Sequence, residues 1–137
     1  MYSGIHKALR AFMADTLLAV GRMDPADEAD VGQVSTRVLE LVAVCAGHLQ
    51  HENDFVHAAI EARAPGASAA IAHEHEHEDH VKHIARLSDL VVVLRAAVPE
   101  ARGTAAARLY RELALFMAEN FEHMHVEETA RRRSGRS

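Results

Sequence analysis

The sequence predicts an all-α protein, folded as an antiparallel up-down four-helix bundle. Ala, Leu, Val, Glu and Arg dominate its 137 residues and aromatic residues make up only 4%, a composition that favours helix over sheet. The 3 Pro and 7 Gly cluster at a few points, whereas an all-β domain shows turn residues about every ten positions. Between those points, apolar residues recur at alternating steps of three and four, as on a helix with one buried face. The length is that of one domain with a single core.

The first helix is predicted to run from Ser3, a candidate N-cap, to Val20, and Gly21 ends it. Residues 21–30 are predicted to form a turn region, with one short helical turn after Pro25. The inward stripe of this helix begins with a histidine and continues with mostly apolar residues: His6, Leu9, Met13, Thr16 and Val20.

The second helix is predicted to run from Asp30, as its N-cap, to about Arg63, where the Ala-Pro-Gly of 64–66 ends it. Its stripe contains Val31, Val34, Val38, Leu41, Cys45, His48, Glu52, Phe55 and Ala59. Two polar residues, a histidine and a glutamate four positions apart, therefore lie one turn from each other on an otherwise apolar face.

The third helix is predicted to begin near Ala67 or Ser68 and to end before Pro99. It contains HEHEHEDHVKH at 73–83, where histidines alternate with acidic residues. Three of these histidines continue the apolar stripe, which contains His73, His77, His80, Ile84, Leu87, Val91 and Leu94. The histidines that lie off the stripes of their helices are predicted to be solvated or to support metal ligands: His51, His57, His75, His83 and His125.

The fourth helix is predicted to follow a loop at 99–104, with Thr104 as its N-cap, and to run to about Ala130. Its stripe again carries a histidine and a glutamate four positions apart: Leu109, Leu113, Phe116, Asn120, His123, Glu127 and Ala130. The remaining residues, 131–137, are basic and apolar-free, and they are predicted to form a disordered tail.

The polar positions of the four stripes are predicted to lie at one level of the bundle. Counting about 1.5 Å of rise per residue from each turn places both His-Glu pairs beside the histidines of the third helix, and His6 close to His48. Imidazoles and carboxylates are costly in a core unless they have partners. Their convergence therefore predicts a metal site in the bundle core, with two ions bridged by the carboxylates. Imidazole and carboxylate without thiolate suit iron, manganese or zinc.

Charge, cysteine content and hydropathy argue against several other classes of protein. The net charge of -5 gives no reason to expect nucleic acid as a partner. The single cysteine, Cys45, excludes an intramolecular disulfide and fits a reducing cytosol. The N-terminal residues contain charge and lack a continuous apolar core, so they are not expected to form a signal peptide. No stretch approaches the roughly 20 apolar residues that span a membrane. The protein is expected to be soluble and cytoplasmic, without a membrane partner.

The ordered motifs resemble those of the hemerythrin-like (HHE) cation-binding domain family. They are IHKALR at 5–10, HLQHE at 48–52, HEHEH at 73–77 and HMHVE at 123–127, and the resemblance covers residues 1–130. It implies a non-haem di-iron centre with an oxo or hydroxo bridge, in which His6 and His48 bind one iron. The second iron would be bound by His123 with two histidines of the third helix, and Glu52 and Glu127 would bridge the ions.

Two ligand positions stay open at this stage. The motif of the family's third helix selects His73 and His77, whereas the helical stripe also offers His80. His77 is therefore expected first, with His73 and His80 as alternatives for the second place. Some members of the family carry the last carboxylate one residue later, which makes Glu128 the alternative to Glu127.

These expectations favour a binding protein over an enzyme. The protein would bind or sense O2 or a related small ligand, or handle iron or nitric oxide. One alternative is a di-metal enzyme that decomposes peroxide, which would turn over its ligand instead of storing it. Another is a structural bundle for protein association, with zinc or no metal. A homodimer is left open, because a second copy would bury an uncovered face of the bundle.

Overall fold

The computed structural model contains four α-helices and, in the part it describes, no strand. It describes the backbone of residues 2–63 and 67–134, and the side chains of residues 4–50, 77–126 and 129. The helices are α1 (Tyr2–Arg22), α2 (Glu28–Arg63), α3 (Ala67–Ala96) and α4 (Pro99–Ser134). The predicted all-α class is confirmed. Within the described residues, none of these helices is apolar enough over sufficient length to cross a membrane.

The four helices form an up-down-up-down bundle. Neighbours in the chain pack against each other, and α1 closes the ring by packing on α4. The diagonal pairs, α1 with α3 and α2 with α4, make no comparable backbone approach in the described residues. Short connections force consecutive helices to run antiparallel. The ends of α1 and α3 and the beginnings of α2 and α4 therefore share one end of the bundle.

The connection between α1 and α2 differs from the prediction in its capping residue. Asp27, and not Asp30, is the N-cap of α2, because its Oδ1 accepts the backbone N–H groups of Ala29 (3.0 Å) and Asp30 (3.2 Å). The Asp30 carboxylate instead accepts the N–H of Asp24 at 2.7 Å and braces the loop. The predicted helical turn after Pro25 is a β-turn, in which the Asp27 N–H donates to the Asp24 carbonyl at 3.1 Å.

The connection between α3 and α4 is shorter than predicted. Residues 99–104 are helical, so Thr104 lies inside α4 and does not cap it. The helix starts at Pro99, where a missing N–H costs nothing because the first amides of a helix have no partner within it. The N–H of Ala101 already donates to the Val98 carbonyl at 2.9 Å. At its other end α4 continues past Ala130 to Ser134, and residues 135–137 lie outside the described part.

The predicted stripes form the core. Phe116, Leu41, Leu87 and Leu113 are among the fully buried side chains, and each contributes about 1.5–3 kcal/mol by leaving water. The other apolar stripe residues that are buried are Leu9, Met13, Val20, Val31, Val34, Val38, Cys45, Val91, Leu94 and Leu109. Phe55 and Ala59 lie outside the described side chains. The apolar layers fill the end of the bundle that holds the α1–α2 and α3–α4 connections.

Polar groups in this apolar end have partners within the fold. Buried Thr16 donates its hydroxyl to the Phe12 carbonyl one turn earlier, at 2.7 Å. Buried Ser35 accepts the Arg95 Nε–H at 2.9 Å, and the same guanidinium donates to the Thr36 hydroxyl at 3.0 Å. Arg95 of α3 is therefore hydrogen-bonded to two side chains of α2.

Candidate metal centre

Each helix contributes one imidazole to two facing pairs at the opposite end of the bundle. His6 of α1 is fully buried, and its ring centroid lies 5.4 Å from that of His48 on α2, with the rings nearly perpendicular. His80 of α3 lies 5.2 Å from His123 of α4, with the rings tilted by 56°. The level matching made from the sequence anticipated both approaches.

The helical period explains why these side chains point inward. His48 follows buried Cys45 by one turn, and His123 follows Phe116 by two turns along the α4 stripe. On α3, which runs the other way, His80 precedes Leu87 by two turns. The core stripes therefore change from apolar to imidazole at the same level on neighbouring helices.

A small cavity lies beside three of these imidazoles, those of His48, His80 and His123. It has a volume of about 20 Å³, enough for one water-sized group. Imidazoles from three helices line it, together with mostly apolar side chains. The lining residues are Leu9, Met13, Cys45, His48, Leu49, His80, Ile84, Phe116, Asn120, His123 and Met124.

His77 adds a further donor one turn from His80. Its side chain is half-buried, and its Nδ1 is buried without a hydrogen bond in the described part of the chain. A buried nitrogen in that state costs about 1–3 kcal/mol. An imidazole nitrogen can coordinate a metal ion, and imidazole-rich sets of ligands suit transition metals. The donor chemistry at this end of the bundle therefore fits a metal.

The described side chains form only part of the predicted ligand set. Among them, no three His, Cys, Asp or Glu groups come together closely enough to hold a metal ion. The predicted ligands Glu52, His73 and Glu127, and the alternative Glu128, lie outside the described side chains. Their positions in the helical backbone of α2, α3 and α4 are described, and their contacts are not.

His83 has a more specific position than its place off the stripe indicated. Its side chain is only 14% exposed, and its Nδ1 lies 2.9 Å from Oε2 of Glu119 on α4. The ring also meets Phe116 edge-on, with centroids 5.2 Å apart. Glu112 completes the group, with Oε2 3.9 Å from His83 Nε2 and with Oε1 accepting Arg86 at 3.0 Å. The available signal was the seven-residue spacing of the two glutamates, which places both on one side of α4. His125, in contrast, is exposed as predicted.

An open cleft between α3 and α4 lies outside the histidine layer. Its volume is about 600 Å³, and His80 and His123 line it as well as the inner cavity. Those two imidazoles therefore form part of the wall between the cavity and the outside. The cleft carries four carboxylates and two basic side chains: Asp79, Glu112, Glu119, Glu122, Lys82 and Arg86.

Cys45 is a buried core residue, as the sequence predicted. Burial raises the pKa of its thiol from 9.0 to about 12, so the thiol is protonated at neutral pH. A protonated thiol is a poor metal ligand and a poor nucleophile. The residue contributes to the cavity wall as a small apolar side chain.

Comparison with known proteins gives one match. The family model described as the hemerythrin HHE cation binding domain matches residues 2–130, nearly the whole chain and all four helices. Neither the curated proteins nor the solved structures contain a significant match. The match includes both imidazole pairs and the residues that line the cavity. The chain therefore belongs to the hemerythrin HHE cation-binding domain family, and it is a metal-binding protein of the hemerythrin type.

Proposed function

We propose that the protein binds two iron ions in its histidine layer and presents one open coordination position to O2 or a related small ligand. The observation that carries this proposal is the pair of facing imidazole contacts, His6 with His48 and His80 with His123. Three of these imidazoles line a cavity of about 20 Å³. Four separate helices contribute these groups. An arrangement of this kind is how helical bundles build metal sites in their interiors.

The proposed ligands divide into two groups. His6 and His48 hold one ion, while His80 and His123 hold the other. His77 is assigned as the third imidazole of the second group, since its buried Nδ1 has no hydrogen bond within the described residues. His73 stays as the alternative to His77 or His80.

The bridging ligands rest on sequence position. Glu52 follows His48 by four residues, and Glu127 follows His123 by four, so each lies one turn beyond an imidazole of the layer. Glu128 is the alternative to Glu127. Carboxylates that bridge two ions also balance part of their charge in a core of low dielectric constant.

The side chains around the ions would shape the ligand cavity and exclude water from it. When bound, the iron pair supplies electrons and the position that the small ligand occupies. Leu9, Met13, Phe116 and Met124 give the cavity a largely apolar wall, and its volume of about 20 Å³ favours small ligands. The site is therefore suited to a small ligand such as O2 or NO.

Peroxide decomposition is a second candidate, favoured by one observation. The His83–Glu119 contact is a protonatable pair in the cleft that His80 and His123 also line. A group that takes up and releases protons close to a metal site supports acid–base chemistry on peroxide. Turnover separates the two functions, because a binding protein holds its ligand and an enzyme consumes it.

The test is to load untagged metal-free protein with ferrous iron under argon and then admit air. We expect new near-ultraviolet and visible absorption bands that change on reduction and on addition of azide. Steady consumption of added hydrogen peroxide would favour the enzyme. Absence of any spectral change, with zinc or no metal bound, would reject the di-iron proposal and favour a structural bundle.

A further inference from the structure

Asn120 is the one amide side chain among the described residues of the cavity wall. It lies on the α4 stripe, one turn after Phe116 and one turn before His123, and it is half-buried. Apart from three histidines and Cys45, every other lining residue that the structure describes is apolar. An amide in this position is the exception that packing alone does not explain.

The hydrogen bond of Asn120 fixes which way its amide is turned. Its Nδ2 donates to the Phe116 carbonyl at 2.7 Å. Because a carbonyl oxygen can only accept, the nitrogen and not the oxygen of the amide must face it. The bond uses one of the two N–H groups. That bond leaves the second N–H group and the lone pairs of the amide oxygen for other partners.

An asparagine here also carries a cost to the fold. Asn is a weaker helix former than Leu, and the half-buried amide is partly removed from water against apolar neighbours. Leucine has nearly the same shape and would fill the wall without that cost. A polar occupant of the cavity would offset that cost by hydrogen-bonding to the amide.

We propose that Asn120 determines which small ligands the metal site prefers, by hydrogen-bonding to the ligand in the cavity. The favoured class is small anions or protonated ligands that exchange hydrogen bonds, such as azide, hydroxide or peroxide. Ligands that form only weak hydrogen bonds, such as NO, gain little from the amide. This inference rests on the proposed function and adds a specificity-determining residue to it.

The test compares Asn120→Leu with the wild type and with Met117→Leu, a matched change on the same helix at a half-buried residue outside the cavity lining. Each protein is loaded with iron, and affinities for azide and NO are measured from the absorption spectra. We expect Asn120→Leu to weaken azide binding about tenfold, the effect of one hydrogen bond, and to change NO binding less than about twofold. Met117→Leu should change neither.

Two further measurements, iron content and melting temperature, distinguish this role from a structural one. Iron content per chain should be unchanged in Asn120→Leu, and its metal-free form should melt no lower than the wild type. Loss of iron, a lower melting temperature, or equal weakening of azide and NO would show that Asn120 supports the helix, and would overturn the inference. Unchanged azide affinity in the iron-loaded variant would overturn it as well. A wild type that binds no iron would overturn the proposed function, and this inference with it.

Discussion

At the scale of single residues, the sequence predicted which side chains face the core better than it predicted which residues they contact. The stripes placed His6, His48 and His123 on the inward face, because burial at that level follows from a period of 3.6 residues. His83 was predicted less well, since its environment depends on Glu119, which lies 36 residues away on another helix. A one-dimensional pattern does not contain that pairing.

His77 and His83 are predicted to differ in what their loss does. His77→Ala should reduce metal content, with little effect on the stability of the metal-free protein, because Nδ1 has no hydrogen bond in the described residues. His83→Ala should keep the metal and lower stability by about 1 kcal/mol, through loss of the Glu119 bond and the Phe116 contact. Metal analysis and thermal melting of both variants measure these effects. Equal metal loss in both would place His83 among the ligands.

At the scale of helices, the sequence predicted existence and faces but not every end. All four helices and their buried stripes follow from periodicity. The N-cap of α2 was predicted at Asp30, three residues after the observed N-cap, Asp27. Aspartate is a favoured N-cap residue at either position, so residue type did not distinguish them. The start of α4 was missed because Pro99 was taken as part of a loop, although proline is also favoured at the first helical position.

Asp27→Ala tests the capping assignment. The substitution removes the acceptor of two backbone N–H groups and should lower the free energy of unfolding by about 1 kcal/mol. For a domain of this size that is a fall in melting temperature of about 4 °C. Asp27→Ser, which keeps a capping oxygen, should lose less. A larger loss in Asp30→Ala than in Asp27→Ala would contradict the assignment.

At the scale of the whole molecule, the bundle divides into two ends of different chemistry. The end with the α1–α2 and α3–α4 connections is an apolar core, and the opposite end carries the imidazoles. The sequence predicted this division, because in an antiparallel bundle the number of residues between a side chain and the nearest turn sets its height along the bundle axis. Bridging by Glu52 and Glu127 stays a prediction, because a position on a helix sets the direction of a side chain but does not determine whether it binds a metal ion.

The most direct test of the two-ion site is the iron content per chain of single-histidine variants, measured on untagged protein loaded under argon. The wild type should bind about two iron ions. His48→Ala and His123→Ala, each lacking an imidazole of a different pair, should bind markedly less, while His125→Ala, an exposed histidine two residues from His123, should match the wild type. Full iron content in both ligand variants, or an equal loss in His125→Ala, would contradict a di-iron centre built on the two imidazole pairs.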